Sequence, residues 1–388
     1  VPRWATAAPA PERGPAPLLP NGELDRDYLD AAARQPPAQE AARKRLAALL
    51  LAAIDYELQR GKSDSAMSLA QKALSAFPQD PQLALSYGVL LLHKQQYQLA
   101  RDWLNRASLA APDSPDVWKF LGFAEYFSDR TGDAIRCWRR SLSLAPDSGL
   151  EGMLERALRE TAAEVRHEQA SSNHFTLRFE GRQVPPDFRR AILDVLERHY
   201  SDLERQLGAW LREPIAVILY TEQAFRDVTR VPSWAGAVND GRVRVPVDGL
   251  SSVTPELSAV LRHELVHSFL WARAGARCPV WLNEGLAQLL QGNSAGGERR
   301  LVELWRAGKL LPWPMLEKPF LGLGPGLAWL AYAQSLAAAE FLVARHGLPD
   351  MVRLLERLAG GGSVEAALSG VYRMNYRDLE QAVGDWLR

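Results

Sequence analysis

Only two cysteines occur in the sequence, Cys137 and Cys278, and no Cys-x-x-Cys pair. They fall in segments that read as different domains, which argues against a structural disulfide and against dithiol redox chemistry. An excess of either charge is also missing: 46 basic and 46 acidic side chains cancel to a formal net charge of 0. Proteins that wrap nucleic acid or coat anionic lipid need a cationic surplus, so nucleic acid is not expected as a partner. Long apolar runs are lacking too. The best, Leu46 to Ile54, falls far short of the roughly 18 continuous apolar residues of a spanning helix, so no transmembrane segment is expected. What is present is 388 residues, 47% of them hydrophobic, enough to bury the cores of two or three domains. That excludes a disordered chain, a small disulfide scaffold and a collagen-like fibre.

Residues 1–40 hold eight of the 25 prolines and few large apolar side chains, and they read as a flexible Pro/Ala-rich lead-in that packs little. The chain starts at Val1 on this run (Pro2, Pro9, Pro11, Pro15, Pro17, Pro20), as a processed exported protein does. A periplasmic or extracellular location is therefore expected, with the cytoplasm left open.

Residues 41–170 carry a repeat of period 34. Pro78, Pro112 and Pro146 keep that step, as do Ala66, Ala100 and Ala134, then Ala73, Ala107 and Ser141, then Gly88 and Gly122. Apolar residues recur at helical spacing within each unit, as in Leu83, Tyr87, Leu90 and Leu91. With proline between helix pairs and small residues where helices cross closely, the register resembles the tetratricopeptide (TPR) repeat. Three helix pairs (44–77, 78–111, 112–145) would stack as an all-α solenoid, with a helix over about 149–169 capping the last apolar face. Such a solenoid serves either as a rigid platform or as a groove for a partner protein or peptide.

Beyond residue 170 the pattern is α+β. His174 to Glu180 alternates like an edge strand, residues 187–210 read as a helix, and Ile215 to Tyr220 is an apolar strand. A hairpin follows: Ala235 to Val238, a turn at Asn239, Asp240 and Gly241, then Val243 to Val247, where Pro246 suggests an edge. From Pro255 to Arg388 the chain reads as helical, with breaks near 275–279, 292–297, 312–325, 347 and 360–362.

The chemistry centres on H-E-L-V-H, residues 263–267, inside the helix that starts near Pro255. Positions i and i+4 stand one turn apart on one face, so His263 and His267 can reach a single metal ion, with Glu264 at its edge. The bland alternative is a pair of core or surface histidines on an amphipathic helix. Two imidazoles suit zinc, which in a catalytic site takes a third protein ligand and keeps one position open. After the break at Gly275 to Pro279 comes W-L-N-E-G-L-A-Q, residues 281–288; Glu284 is far enough from His267 for the chain to turn back and supply that ligand.

HELVH at 263–267 and WLNEGLA at 281–287 resemble the gluzincin metallopeptidases of the peptidase MA clan, the clan of thermolysin and aminopeptidase N. The segment AYAQSLAAAEFLVARHG, residues 331–347, is similar to the part of the aminopeptidase N-like branch that carries the transition-state tyrosine, which implies that role for Tyr332. The resemblance implies a zincin-like catalytic domain over 171–388, one catalytic Zn2+ held by His263, His267 and Glu284, and Glu264 as general base. Two departures stand out. Where the aminopeptidases have a G-A-M-E-N strand that grips the substrate amine, this chain reads Gly236, Ala237, Val238, Asn239, Asp240, which puts amino-terminal exopeptidase specificity in doubt. Gln288 stands four residues past Glu284, where thermolysin-like members have an aspartate that orients a zinc histidine; an amide can still accept an imidazole N–H.

The expected function is zinc-dependent hydrolysis of peptide bonds in a peptide or protein substrate, with the repeats as a docking module. An edge strand at Val243 to Val247 would pair with an extended peptide. The alternatives are a TPR scaffold whose zincin domain is inactive or structural, and hydrolysis of a non-peptide substrate at the same metal. His93, His167, His174, His199 and His346 have no ligand spacing and read as surface or satisfied histidines.

Overall fold

The computed structural model describes residues 16–231, 236–295 and 299–387. Two compact units divide after Ala162. The first is all helical: α1 (Arg26–Arg34), α2 (Glu40–Gln59), α3 (Ser63–Ala76), α4 (Pro81–His93), α5 (Tyr97–Ala110), α6 (Pro115–Phe127), α7 (Thr131–Leu144) and α8 (Ser148–Ala163). Helices α2/α3, α4/α5 and α6/α7 are the three expected pairs. Their turns repeat atom for atom. Gly61, Gln95 and Asp129, 34 apart, all have positive φ (78°, 56° and 60°). After each, the amide of Lys62, Gln96 or Arg130 donates to the carbonyl of Glu57, Leu91 or Glu125 at 2.9 Å, which closes the helix end. Gly88 and Gly122 mark the close crossings: a Cβ on them would stand 2.5 Å from Leu104 Cγ and 2.3 Å from the Trp138 ring.

Two expectations for this unit need correction. The lead-in, expected to pack little, contributes Leu24 and Leu29 to the repeat core, and Lys72 pairs with Asp30 at 2.6 Å. Two apolar anchors suffice to dock a nine-residue amphipathic helix on α2 and α3. The capping helix ends at Ala163 rather than running to 169, and residues 167–171 form a strand instead. That strand, His-Glu-Gln-Ala-Ser, has no fully buried residue and pairs with β2 through its backbone, so hydropathy gives no sign of it.

The second unit comprises β1 (His167–Ser171), β2 (Phe175–Glu180), α9 (Pro186–Leu207), β3 (Ile215–Tyr220), α10 (Glu222–Thr229), β4 (Val238–Asn239), β5 (Val243–Pro246), α11 (Pro255–Ala274), α12 (Val280–Gln291), α13 (Arg299–Arg306), α14 (Trp313–Leu316), α15 (Pro325–His346), α16 (Leu348–Ala359), α17 (Val364–Tyr372) and α18 (Tyr376–Trp386). The sheet order is β1-β2-β3-β5-β4. Strands β2, β3 and β5 are parallel, and β1 and β4 are antiparallel additions. Neither strand read as an edge is one: β2 lies between β1 and β3, and β5 between β3 and β4. The edge beside β5 is the two-residue β4; Ala235, expected to start that strand, lies outside the described residues.

All six residues of β3 are buried, and its alternation serves two layers. Val217 and Leu219 join Phe175, Leu177, Phe179, Val243 and Val245 in the large core shared with α9 and α11. Ile218 and Tyr220 face the other way, against Phe225 and Val228 of α10. Helix α15 is long and apolar enough, by length and composition, to cross a membrane, but most of that window is buried inside the fold, where Ala331, Leu336 and Ala337 to Ala339 belong to the core. Trp281 and Trp313 are core residues; Trp313 stacks on Tyr376 with centroids 5.3 Å apart.

Candidate metal centre

Helix α11 starts where the sequence provides both a cap and a stiff first turn: Thr254 accepts the Leu257 amide and Pro255 occupies the first helical position. The start fixes the register of the three chemistry-bearing residues two turns on. His263 and His267 lie one turn apart with ring centroids 4.9 Å apart and planes nearly perpendicular, at 85°. After a 3-10 turn at Gly275–Arg277 the chain reverses into α12, whose second turn brings Glu284 to them. Glu284 Oε2 lies 3.7 Å from His263 Nε2 and 3.9 Å from His267 Nε2. The ligating atoms of the three residues all fall within 4.8 Å of one another.

Both imidazoles are oriented from behind. His263 Nδ1 is 2.9 Å from Gln291 Oε1, and His267 Nδ1 is 2.9 Å from Asn283 Oδ1. An amide oxygen only accepts, so each Nδ1 carries the proton and each Nε2 keeps a lone pair on the side of Glu284. Two imidazole nitrogens and a carboxylate oxygen form a donor set suited to zinc.

The charge balance agrees. Burial opposes a proton on His263, yet the adjacent Glu284 and Glu264 carboxylates hold its pKa above the usual imidazole range. Burial likewise opposes charge on Glu284, but His267 and His263 pull its pKa below the ordinary carboxylate value. Two carboxylates and two imidazoles thus make a pocket that favours positive charge. Glu264 differs: it is 7% exposed, and burial dominates over the pull of the histidines to raise its pKa.

Tyr332 projects from α15, its ring edge-on to Phe320 at 5.3 Å. Burial, then the negative charges of Glu284 and Glu264, push its phenol pKa up, which places Tyr332 in the electrostatic field of the site. The close approach of α12 to α15 depends on Gly285. A Cβ there would stand 2.3 Å from the Ser335 carbonyl oxygen, so only glycine lets α12 and α15 pack this closely.

Gln288 does not take the orienting role expected of it. Its Nε2 donates to the carbonyls of Glu284 at 3.2 Å and Tyr332 at 3.1 Å, stitching α12 to α15. The orienting amides are Asn283, inside the recognised motif but given no role by the sequence, and Gln291. Gln291 follows Glu284 by seven residues, about two turns, so helical periodicity alone places both on one face. Asn239 is a further support that the sequence does not mark. Its Nδ2 donates to the Glu264 carbonyl at 2.6 Å and to Ser268 Oγ at 2.8 Å. Behind it, the fully buried Arg244 pairs with Asp240 at 2.6 Å. Two other histidines of this unit have partners of their own: His174 bonds Glu197 at 2.7 Å, and His199 lies 3.0 Å from Ser258 Oγ.

Two family models match parts of this chain. Residues 198–388 match the family model of the Peptidase MA superfamily, and residues 57–122 match a tetratricopeptide repeat model. No curated protein matches the chain. Among solved structures, the first TPR of Spaghetti (RPAP3) bound to the HSP90 peptide SRMEEVD is 20% identical, covers 30% of this chain and 93% of its own, and has a TM-score of 0.29. A point mutant of MamA is 19% identical over 35% of this chain and 86% of its own, with a TM-score of 0.28. A mutant O-GlcNAc transferase from Thermobaculum terrenum is 15% identical over 92% of this chain and 99% of its own, with a TM-score of 0.29. Scores this low carry no argument about fold or function.

Proposed function

We propose that this protein is a zinc-dependent metallopeptidase that hydrolyses peptide bonds in a peptide or protein substrate. One observation carries the reading: His263, His267 and Glu284 bring their ligating atoms within 4.8 Å of one another, with the buried Glu264 between the two histidines in sequence. The match of residues 198–388 to the Peptidase MA superfamily supports it.

The three ligands would hold one zinc ion, which when bound polarises the scissile carbonyl and acidifies a water. Glu264 would take the proton of the attacking water and return it to the leaving amine, a transfer its raised pKa favours. The Tyr332 phenol, kept protonated by burial, would donate to the oxygen that gains negative charge. Asn239 is engaged with the Glu264 carbonyl, and an amide cannot grip an ammonium as a carboxylate does, so cleavage away from the amino terminus is favoured. With β5 flanked on both sides, an extended substrate would pair instead along the short β4 edge. The repeats would dock a protein partner or the substrate itself.

The test is metal analysis of the purified chain together with hydrolysis of a peptide library by the wild type and Glu264→Gln. Stoichiometric zinc in both, with cleavage in the wild type alone, supports the proposal; a wild type without zinc overturns it. Zinc without cleavage would leave a metal-containing scaffold.

A further inference from the structure

The residue that holds His263 is Gln291, the last of α12, and several contacts secure the end of that helix. Arg262, next to His263 on α11, donates through Nε to the Leu290 carbonyl at the end of α12. The same guanidinium reaches Gln206 Oε1 at 3.3 Å and Asp202 Oδ2 at 3.6 Å on α9. Gly292, with φ +110°, ends the helix immediately after Gln291. The end of α12 that carries Gln291 is therefore braced on α11 and, through Arg262, on α9.

We infer that Gln291 is the positioning residue of His263, and that two uncharged amides, Gln291 and Asn283, set how tightly this site holds zinc. The inference rests on the zinc reading above. A carboxylate behind an imidazole draws on the Nδ1 proton and makes Nε2 a stronger donor to metal, whereas an amide oxygen fixes tautomer and direction without that electronic push. A centre braced only by amides holds its ion less tightly than the same centre with one carboxylate at position 291.

The experiment measures the zinc Kd of the full chain by chelator competition for the wild type, Gln291→Ala, Gln291→Glu and Gln288→Ala. Loss of the brace in Gln291→Ala weakens zinc roughly 10-fold to 100-fold, and Gln291→Glu tightens it about 10-fold relative to wild type. Gln288→Ala, which loses the bonds to the Glu284 and Tyr332 carbonyls but none to an imidazole, stays within about threefold on the same scale. Gln291→Glu also retains zinc to lower pH than the wild type does. A packing role alone would lower the unfolding temperature of the metal-free Gln291→Ala protein and leave zinc affinity unchanged, and that result overturns the inference. Should Gln291→Ala not fold, Gln291→Glu decides: affinity equal to or weaker than wild type overturns it. A wild type without stoichiometric zinc removes the zinc reading and this inference with it, whereas zinc-loaded wild type with indifferent Gln291 variants removes the inference alone.

Discussion

The Asn239 side chain donates to the carbonyl oxygen of Glu264 at 2.6 Å, tying the last strand of the sheet to the helix that presents His263 and His267. Its second hydrogen bond, 2.8 Å to Ser268 Oγ, lies one turn further on, so the hairpin grips the turn of α11 that carries His267. The sheet thus acts on the site through a neutral amide bonded to the backbone of the proposed base.

Replacing that amide should separate positioning from binding. Asn239→Leu removes the Nδ2 that serves both the Glu264 carbonyl and Ser268 Oγ, and the Oδ1 that accepts the Gly241 amide, a cost of about 1–2 kcal/mol. Because Glu264 must sit within hydrogen-bond reach of the proton it takes, a small drift is expected to lower kcat about 10-fold or more while KM changes little. Steady-state kinetics alongside zinc content would show it; a KM effect without a kcat effect would instead place Asn239 in substrate binding.

Tyr332 offers a sharper test, since a single oxygen distinguishes the two roles. Tyr332→Phe keeps the ring against Phe320 and deletes only the phenol. If that phenol steadies the oxyanion, kcat falls roughly 10²-fold to 10³-fold with zinc and thermal stability retained. A fall of less than about threefold would make Tyr332 a packing residue, because the magnitude expected of an oxyanion donor would be missing.

Helix α12 supplies a stability prediction that runs against helix propensity. Alanine for glycine inside a helix ordinarily gains up to about 1 kcal/mol. At Gly285 the new Cβ would meet the Ser335 carbonyl oxygen at 2.3 Å and Ala339 Cβ at 3.0 Å, and neither is the end of a flexible chain. Overpacking of this kind costs about 1–3 kcal/mol, so Gly285→Ala should destabilise the protein and loosen zinc by displacing Glu284. Gly152→Ala on α8, where no atom lies within 4 Å, is the control and should stabilise. Denaturant midpoints of the two variants moving in the same direction would refute the argument.

The parts of the molecule that repeat or obey one period were readable in the sequence, and the parts that depend on distant contacts were not. The 34-residue step predicts the helix pairs because it records one turn geometry used three times, at Gly61, Gln95 and Asp129. The i, i+4 spacing of His263 and His267 is a property of any helix, so their convergence needed no tertiary knowledge. Strand β1 escaped notice because it has no fully buried residue, and the flanking of β5 because two residues of β4 suffice to cover it. Helix α10 leaves no mark in the sequence either: eight residues with only Phe225 and Val228 buried are too short to show a helical period. The exchange of Gln288 for Gln291 turns on side-chain reach. Both amides lie on the face of α12 near Glu284, and only packing against α15 commits one of them to the Tyr332 carbonyl.

The sheet-containing unit should also lose stability with acid through His167. Burial, helped by the nearby Arg178 charge, lowers its pKa to about 4, and its Nδ1 is buried without a hydrogen-bond partner. Unfolded, the imidazole titrates near 6.5. Between pH 6.5 and 4 the unfolded chain therefore takes up a proton that the folded protein refuses, so stability contributed by the neutral ring is complete above pH 6.5, falls as pH drops, and is fully lost below about 4. Solvent screening of a partly exposed ring reduces the effect to about 1–2 kcal/mol. His167→Phe keeps a ring against Tyr220, 5.7 Å away in the native pair, and removes the titration. Because other carboxylates and histidines titrate over the same range, the measurement is the difference between the two proteins: from about pH 7 to pH 4 the unfolding free energy of the wild type should fall more steeply than that of His167→Phe, and parallel curves would exclude His167 as a source of acid sensitivity.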